Sequence, residues 1–289
     1  MLKNFIALSR PFTLVSPFIG FLASSAASAH AVTGAVSLSA KPFVGAFSCV
    51  LMNAASNIFN QITDVDVDRV NKPERPLPSG KCTKTQAWML WFILTSFSFF
   101  LGFFINTSFF VILFSAFVLT TLYSAPPLRL HGRGFFGNLT IGIVRGLLLF
   151  VAGWVSVSPS FNPEPWAAGA IIALFLCGAS TTKDFSDIKG DRMYGVSTLP
   201  VKYGIQSAAW MMSPFLVLPY LLIPVFVFLG WLPPASLMVS SLAFYGAYIL
   251  YLVLRKTEAL ALERNHVSWV HMYFMLMLTQ AGFAFSFTI

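Results

Sequence analysis

Charge is what this sequence has least of. Only 10% of its 289 residues are Asp, Glu, Lys or Arg, against about 25% in soluble domains. A water-facing globule cannot be covered by so few charges, and a disordered chain or a fibre is excluded by the same shortage. Cysteine is scarce too. Cys49, Cys82 and Cys177 are too few and too scattered for a disulfide framework or a zinc site. Apolar side chains supply the rest: 57% of the residues are hydrophobic, 31 of them Phe, and the mean hydropathy is +0.76. Lipid must therefore be the main solvent. At about 20 apolar residues per crossing, the length accommodates roughly eight to ten membrane helices.

Nine apolar stretches qualify, near 12–34, 42–60, 85–105, 107–123, 138–158, 166–183, 207–230, 234–254 and 268–288. Pro126-Pro127, Pro163, Pro165 and Pro233-Pro234 mark junctions between them. Ala27-Ser28-Ala29 has the form of a signal-cleavage site, but the stretch before it is long for a signal peptide. An all-α polytopic bundle is the expected fold.

The distribution of the 18 Lys and Arg orients it. With nine spans, Lys3, Arg10, Arg69, Lys72, Arg75, Lys81, Lys84, Arg129, Arg133, Lys183, Lys189, Arg192, Lys202, Arg255, Lys256 and Arg264 all fall on the side of the N-terminus. Arg145 lies inside the fifth span towards the same side, and only Lys41 falls opposite. Positive charge is retained in the cytoplasm. The N-terminus and the long loops are thus expected there, with the C-terminus across the membrane. The net charge of +8 follows from topology and contact with anionic lipid, and no nucleic acid is needed to explain it. Cys82 falls in a long cytoplasmic loop, where a polar reagent should reach it, while Cys49 and Cys177 fall inside spans.

The acids are clustered. Of 10 carboxylates, Asp64, Asp66, Asp68 and Glu74 lie in the loop after the second span, and Asp184, Asp187 and Asp191 in the loop after the sixth. Asn60, Asp64 and Asp68 step by four, as do Asp187 and Asp191, so each set would share one helical face. The two clusters occupy matching places in two sets of four spans. That spacing suggests four-helix halves, 10–135 and 136–255, followed by a last helix, 266–289. Crowded carboxylates repel one another unless a cation neutralises them, and hard oxygen ligands select Mg²⁺, which completes its shell with substrate phosphate. Two facing clusters could hold Mg²⁺ around a diphosphate, with Arg69, Lys72, Arg129 and Lys183 adding positive charge. A transporter would instead carry its acids near the bilayer centre, and no span centre here has one.

These motifs resemble those of the UbiA superfamily of intramembrane prenyltransferases. Asn60, Asp64 and Asp68 fit its N-x₃-D-x₃-D mark, and Asp187 and Asp191 its D-x₃-D mark. The likeness extends to Arg10-Pro11, Asn71-Lys-Pro-Glu-Arg-Pro-Leu-Pro-Ser-Gly80, Tyr123-Ser-Ala-Pro-Pro-Leu-Arg129 and Gly190-Asp-Arg-Met-Tyr-Gly-Val-Ser-Thr-Leu-Pro200. Within the superfamily, the segment from Asn60 to Pro73, Val144-Arg145-Gly146 and Thr182-Lys183-Asp184 are similar to homogentisate prenyltransferases. Arg75-Pro-Leu-Pro-Ser-Gly80 and Thr198-Leu-Pro-Val201 look more like chlorophyll synthases and the archaeal geranylgeranylglyceryl-phosphate enzymes.

The resemblance implies one prenyltransferase domain over 1–289: a nine-helix bundle around a central cavity capped by cytoplasmic loops. It implies Mg²⁺ on Asn60, Asp64, Asp68, Asp187 and Asp191, and an isoprenyl diphosphate whose tail points into a lipid-facing opening. The expected reaction is loss of diphosphate to an allylic cation, shielded from water, which alkylates an aromatic or quinone-precursor acceptor. The alternatives are a lipid glycerophosphate or tetrapyrrole acceptor, a terpene cyclase of the same superfamily, and a membrane transporter. Tyr123, at a span end, is a candidate contact for the diphosphate or the reacting carbon. Arg10, Arg69, Lys72, Arg129, Arg145, Lys183 and Asp184 are the candidate substrate-binding residues. Among them Arg145 stands out, because an Arg about two turns inside a span should face a polar cavity or a carboxylate. Of the histidines, only His271 is placed where it could see a cavity, and packing is its expected role.

Overall fold

The computed structural model describes residues 2–36, 39–262 and 266–289; Arg264, counted in the charge distribution, lies outside them. A short helix, α1 (Leu2–Ser9), leads into α2 (Phe12–Thr33), α3 (Ala40–Thr63), the short α4 (Val65–Asn71), α5 (Lys84–Phe103) and α6 (Thr107–Ser124). Then come α7 (Phe135–Val155), α8 (Pro163–Ala179), and the short α9 (Ile188–Met193) and α10 (Leu199–Tyr203). The chain continues as α11 (Ile205–Phe228) and α12 (Pro234–Leu254) and ends with α13 (Val267–Ser286). No strand occurs among the described residues; Arg133 and Ser197 form an isolated bridge. Eight of these helical segments are long and apolar enough to cross a membrane. The ninth, α13, is 20 residues long and more polar.

That polarity faces inward. Ser268, Met272, Met275, Leu276, Thr279, Gln280, Phe283 and Ser286 are buried at spacings of three and four, one stripe of a helix. Tyr220 on α11 and Thr279 share a hydrogen bond of 2.7 Å, and Ser236 and Ser286 one of 3.0 Å. Lipid gives no hydrophobic drive for helices to associate, so small residues and such hydrogen bonds hold them together. The α2–α7 seam has both. Ser24 Oγ donates to Phe150 O at 2.5 Å and Ser25 Oγ to Gly153 O at 2.9 Å, and a Cβ on Gly153 would lie 2.4 Å from Phe21 O. By contrast α5 and α6 turn large apolar side chains outward, among them Phe92, Phe103 and Phe114, as lipid contact requires.

Two departures from the expected spans matter for the site. The fifth begins at Phe135, three residues earlier than its hydropathy indicates, and its middle, Ile143–Leu148, is π-helical. The loop after α4 is also packed rather than solvated. Leu8, Ile58, Ile62, Val65, Leu77, Cys82 and Ala87 form a core at the loop end of the bundle. Cys82 is therefore buried, at 4% exposure, which corrects the expectation that a polar reagent reaches it. His271 bonds Tyr245 at 2.7 Å in a packing role.

Candidate active site

The α3 helix ends at Thr63 and α4 begins at Val65, with only Asp64 between them. Asn60, Asp64 and Asp68 thereby keep nearly the helical spacing read from the sequence, and all three line one chamber at the loop end. The second acidic segment leaves α8 through two 3₁₀ turns, Ser180–Lys183 and Phe185–Asp187, before α9 starts. Asp184, Asp187 and Asp191 line the same chamber. Asn71 pins α4 to α9. Its Nδ2 donates to Asp187 O at 2.8 Å and Asp191 Oδ1 at 3.3 Å, while its Oδ1 accepts from the Gly190 N–H at 2.7 Å. Gly190 has to be glycine for this, since a Cβ would lie 2.7 Å from Asn71 Cγ.

Asp64, Asp68, Asp184 and Asp191 are buried and Asp187 is half-buried, and three of the five bond a cation of the chain itself. Asp64 pairs with Arg129 at 2.6 Å and accepts from Asn60 Nδ2 at 2.5 Å. Asp68 pairs with Arg75 at 2.6 Å. Lys72 bonds both carboxylate oxygens of Asp187, linking the two acidic segments. Asp184 lies 4.0 Å from Lys183, and Asp191 accepts from Thr198 Oγ1 at 3.3 Å. Burial raises the pKa of Asp68, against the pull of Arg75, and lowers that of Lys72, against the pull of Asp187. Among the described residues no group of three His, Cys, Asp or Glu is gathered tightly enough to hold a metal ion. The available donors are nonetheless all hard oxygens opening into one space, the chemistry that suits Mg²⁺. The set fits, provided Arg129, Arg75 and Lys72 yield their carboxylates.

Arg69 does not join them. Two residues off the Asn60–Asp64–Asp68 face, Asp66 points outward and pairs with Arg69 at 2.5 Å, both being more than half exposed. Lys72, Arg129 and Lys183 supply the positive charge that was expected of Arg69 as well. His131 was not anticipated. It lines the chamber, with Nδ1 2.9 Å from Tyr123 O and Nε2 3.5 Å from Asp64. Burial lowers its pKa despite the pull of Asp64, and since a carbonyl can only accept, Nδ1–H donates to Tyr123 O.

Below the chamber lies a second cavity, and Arg10, Asn60, Tyr123 and Lys183 line both. Lys183 Nζ donates to the Tyr123 hydroxyl at 2.8 Å, forming the neck between them. Arg10 and Arg129 have positive φ, 56° and 40°, unlike every other non-glycine residue described. Such backbone costs about 1–3 kcal/mol and clusters at functional sites. Burial, with Arg75 nearby, lowers the Arg10 pKa to about 10. The second cavity is walled by α2, α3, α6, α7, α8 and α13, and Arg145 reaches it from the π-helical turn of α7. Beyond Arg145 a branch between α3, α6 and α7 is mostly apolar, lined by Met52, Ile112, Leu113, Leu149 and Ala152.

The chain is similar to several known proteins. It is 31% identical over 194 residues to the protein named probable homogentisate phytyltransferase 2, chloroplastic, of Oryza sativa subsp. japonica, a match covering 62% of this chain and 49% of the rice protein. The chain thus spans about half the length of that relative. It is 29% identical over 213 residues to a digeranylgeranylglyceryl phosphate synthase of Thermococcus sibiricus, covering 72% of this chain and 71% of the other. The fold matches that of a UbiA homolog from Archaeoglobus fulgidus bound to GPP and Mg²⁺, with a TM-score of 0.74, 19% identity and 99% of each chain covered. The sequence pattern of the UbiA prenyltransferase family extends over residues 17–278, most of the chain and both acidic segments, and the chain belongs to that family.

Proposed function

We propose that the chain transfers an isoprenyl group from an isoprenyl diphosphate to an aromatic or quinone-precursor acceptor inside the membrane, with Mg²⁺ as its cofactor. One observation carries the reading. An acidic, cation-rimmed chamber opens through the Tyr123–Lys183 neck into a cavity that becomes apolar away from the loop end. A molecule with an anionic head and a hydrocarbon tail matches that gradient in one orientation. Asn60, Asp64, Asp68, Asp187 and Asp191 would hold Mg²⁺, which supplies positive charge to the departing diphosphate. The rest falls to the chain. Lys72 and Arg129, exchanged from their carboxylates, and Lys183 and Arg10 bind the phosphate oxygens. Tyr123 sits where the allylic carbon emerges from the neck, and its ring face stabilises a developing cation by about 0.5–2 kcal/mol. The surrounding helices keep water from that carbon.

In this reading the N-terminus and the loop end lie in the cytoplasm, which the 16 Lys and Arg on that side support. The test is turnover by the purified chain in lipid nanodiscs, with Mg²⁺, a labelled prenyl diphosphate and a hydroquinone acceptor. A prenylated ring and released diphosphate are the expected products. Diphosphate release with a cyclised hydrocarbon as the product would replace the reading with a cyclase. No release under any condition would return it to a transporter.

A further inference from the structure

We infer, on the basis of the prenyl-transfer reading, that Arg145, Asn57 and Ser180 form a second anion site, which takes a carboxylate or phosphate group of the acceptor. Arg145 is the cation placed deepest in the membrane part of the cavity. Its described polar contact is a donation from Nη2 to Asn57 Oδ1 at 3.2 Å, and no described carboxylate pairs with it. The cavity it lines is walled by Arg10, Arg145 and Lys183 and by no carboxylate. A cation inside a membrane protein is costly unless an anion or a polar cavity receives it.

Asn57 is fixed for this purpose. Its Nδ2 donates to Ser9 O at 3.0 Å and Thr13 Oγ1 at 2.9 Å, which leaves Oδ1 to aim the guanidinium. Asn57 is thus a positioning residue. Ser180 provides an independent sign of a missing ligand. The residue lines the same cavity and is 5% exposed, and its buried Oγ has no hydrogen-bond partner. A buried hydroxyl left unbonded is destabilising, and a ligand oxygen would satisfy it.

The diphosphate cannot be that ligand while it occupies the acidic chamber. Asn57 and Asp64 are seven residues apart along α3 and its end, or about 10 Å. Two anions are therefore accommodated, one at each level, with the reacting carbon between them. The mostly apolar branch beyond Arg145 suits an acceptor that is itself partly lipophilic.

Four probes test the site by calorimetric binding to the full chain in detergent micelles. They are a carboxymethyl hydroquinone and methylhydroquinone, and an alkylglycerol phosphate and the same alkylglycerol. The wild type is expected to bind one anionic probe at least about tenfold more tightly than its neutral partner. The pair that responds tells carboxylate from phosphate. Arg145→Met should erase the difference without changing affinity for the prenyl diphosphate, and Arg145→Lys should keep part of it. Ser180→Ala should weaken the anionic probe without lowering apo stability, because it removes a buried hydroxyl that bonds nothing in the protein. Equal wild-type affinity within both pairs overturns the inference whatever the variants do, as does a loss of prenyl diphosphate binding in Arg145→Met. These differences need no turnover. A failure of the prenyl-transfer reading would appear separately, as no diphosphate release.

Discussion

Lys72 and Asp187 are 115 residues apart in sequence and joined in the structure by a bidentate ion pair. Through it the loop that follows α4 is tied to the turn that precedes α9, and the chamber has a wall from each half of the chain. The same carboxylate belongs to the D-x₃-D motif. Under the proposed function, Asp187 would have to leave Lys72 in order to hold Mg²⁺.

A double-mutant cycle on this pair should reveal the tie. Lys72→Met and Asp187→Asn, alone and together, are expected to show a coupling of about 0.5–3 kcal/mol in the Mg²⁺-free chain. Thermal unfolding in detergent measures it. Coupling near zero would mean the two loops are held together by other contacts.

Asp64→Asn and Asp187→Asn should each lower turnover by at least about 100-fold, and excess EDTA should abolish it in the wild type. Helical content and elution volume should be retained, since Asn keeps the shape of each side chain. Full activity in either variant, or in EDTA, would remove these residues from the site.

Gly190→Ala tests the docking of α4 on α9. The new Cβ would meet the Asn71 side chain, whose three hydrogen bonds bridge the segments. A destabilisation of about 1–3 kcal/mol is expected, together with a fall in kcat. Asn71→Ala should produce a similar loss, and the double variant little more than either alone. Strict additivity would show that Gly190 acts through something other than Asn71.

Cys82 should resist a membrane-impermeant maleimide from both sides until the chain is unfolded. Lys81, its exposed neighbour, provides the orientation test. In a Cys82→Ser background, Lys81→Cys should be labelled in inverted vesicles and not in right-side-out ones. The opposite pattern would reverse the topology.

The spans were legible in the sequence because lipid leaves little latitude: about 20 apolar residues are needed, and polar ones mark the ends. The steps of four among Asn60, Asp64 and Asp68 were legible for a similar reason, since the helix geometry nearly survives the junction at Asp64. Arg69 was misjudged through proximity in sequence; one residue past Asp68, it turns about 100° away from that face. Cys82 was misjudged by treating a loop as solvated, when this loop closes a core. His131 and Asn57 gave no signal of their own. Each acquires its place from partners on other segments, Tyr123 and Asp64 for His131, and Ser9, Thr13 and Arg145 for Asn57.

The π-helical turn at Ile143–Leu148 accommodates one more residue between bonded groups than an α-helix does. Elsewhere in the bundle, loss of one residue would rotate everything after it by about 100° and turn an inward face towards lipid. Within this turn the surplus residue could be lost, and the segments on either side would keep the faces they now present to α2 and α8. What would change is the direction of Arg145. Recognition and assembly are thus separable at this point of α7, and ligand preference could drift here by single insertions or deletions without dismantling the membrane fold.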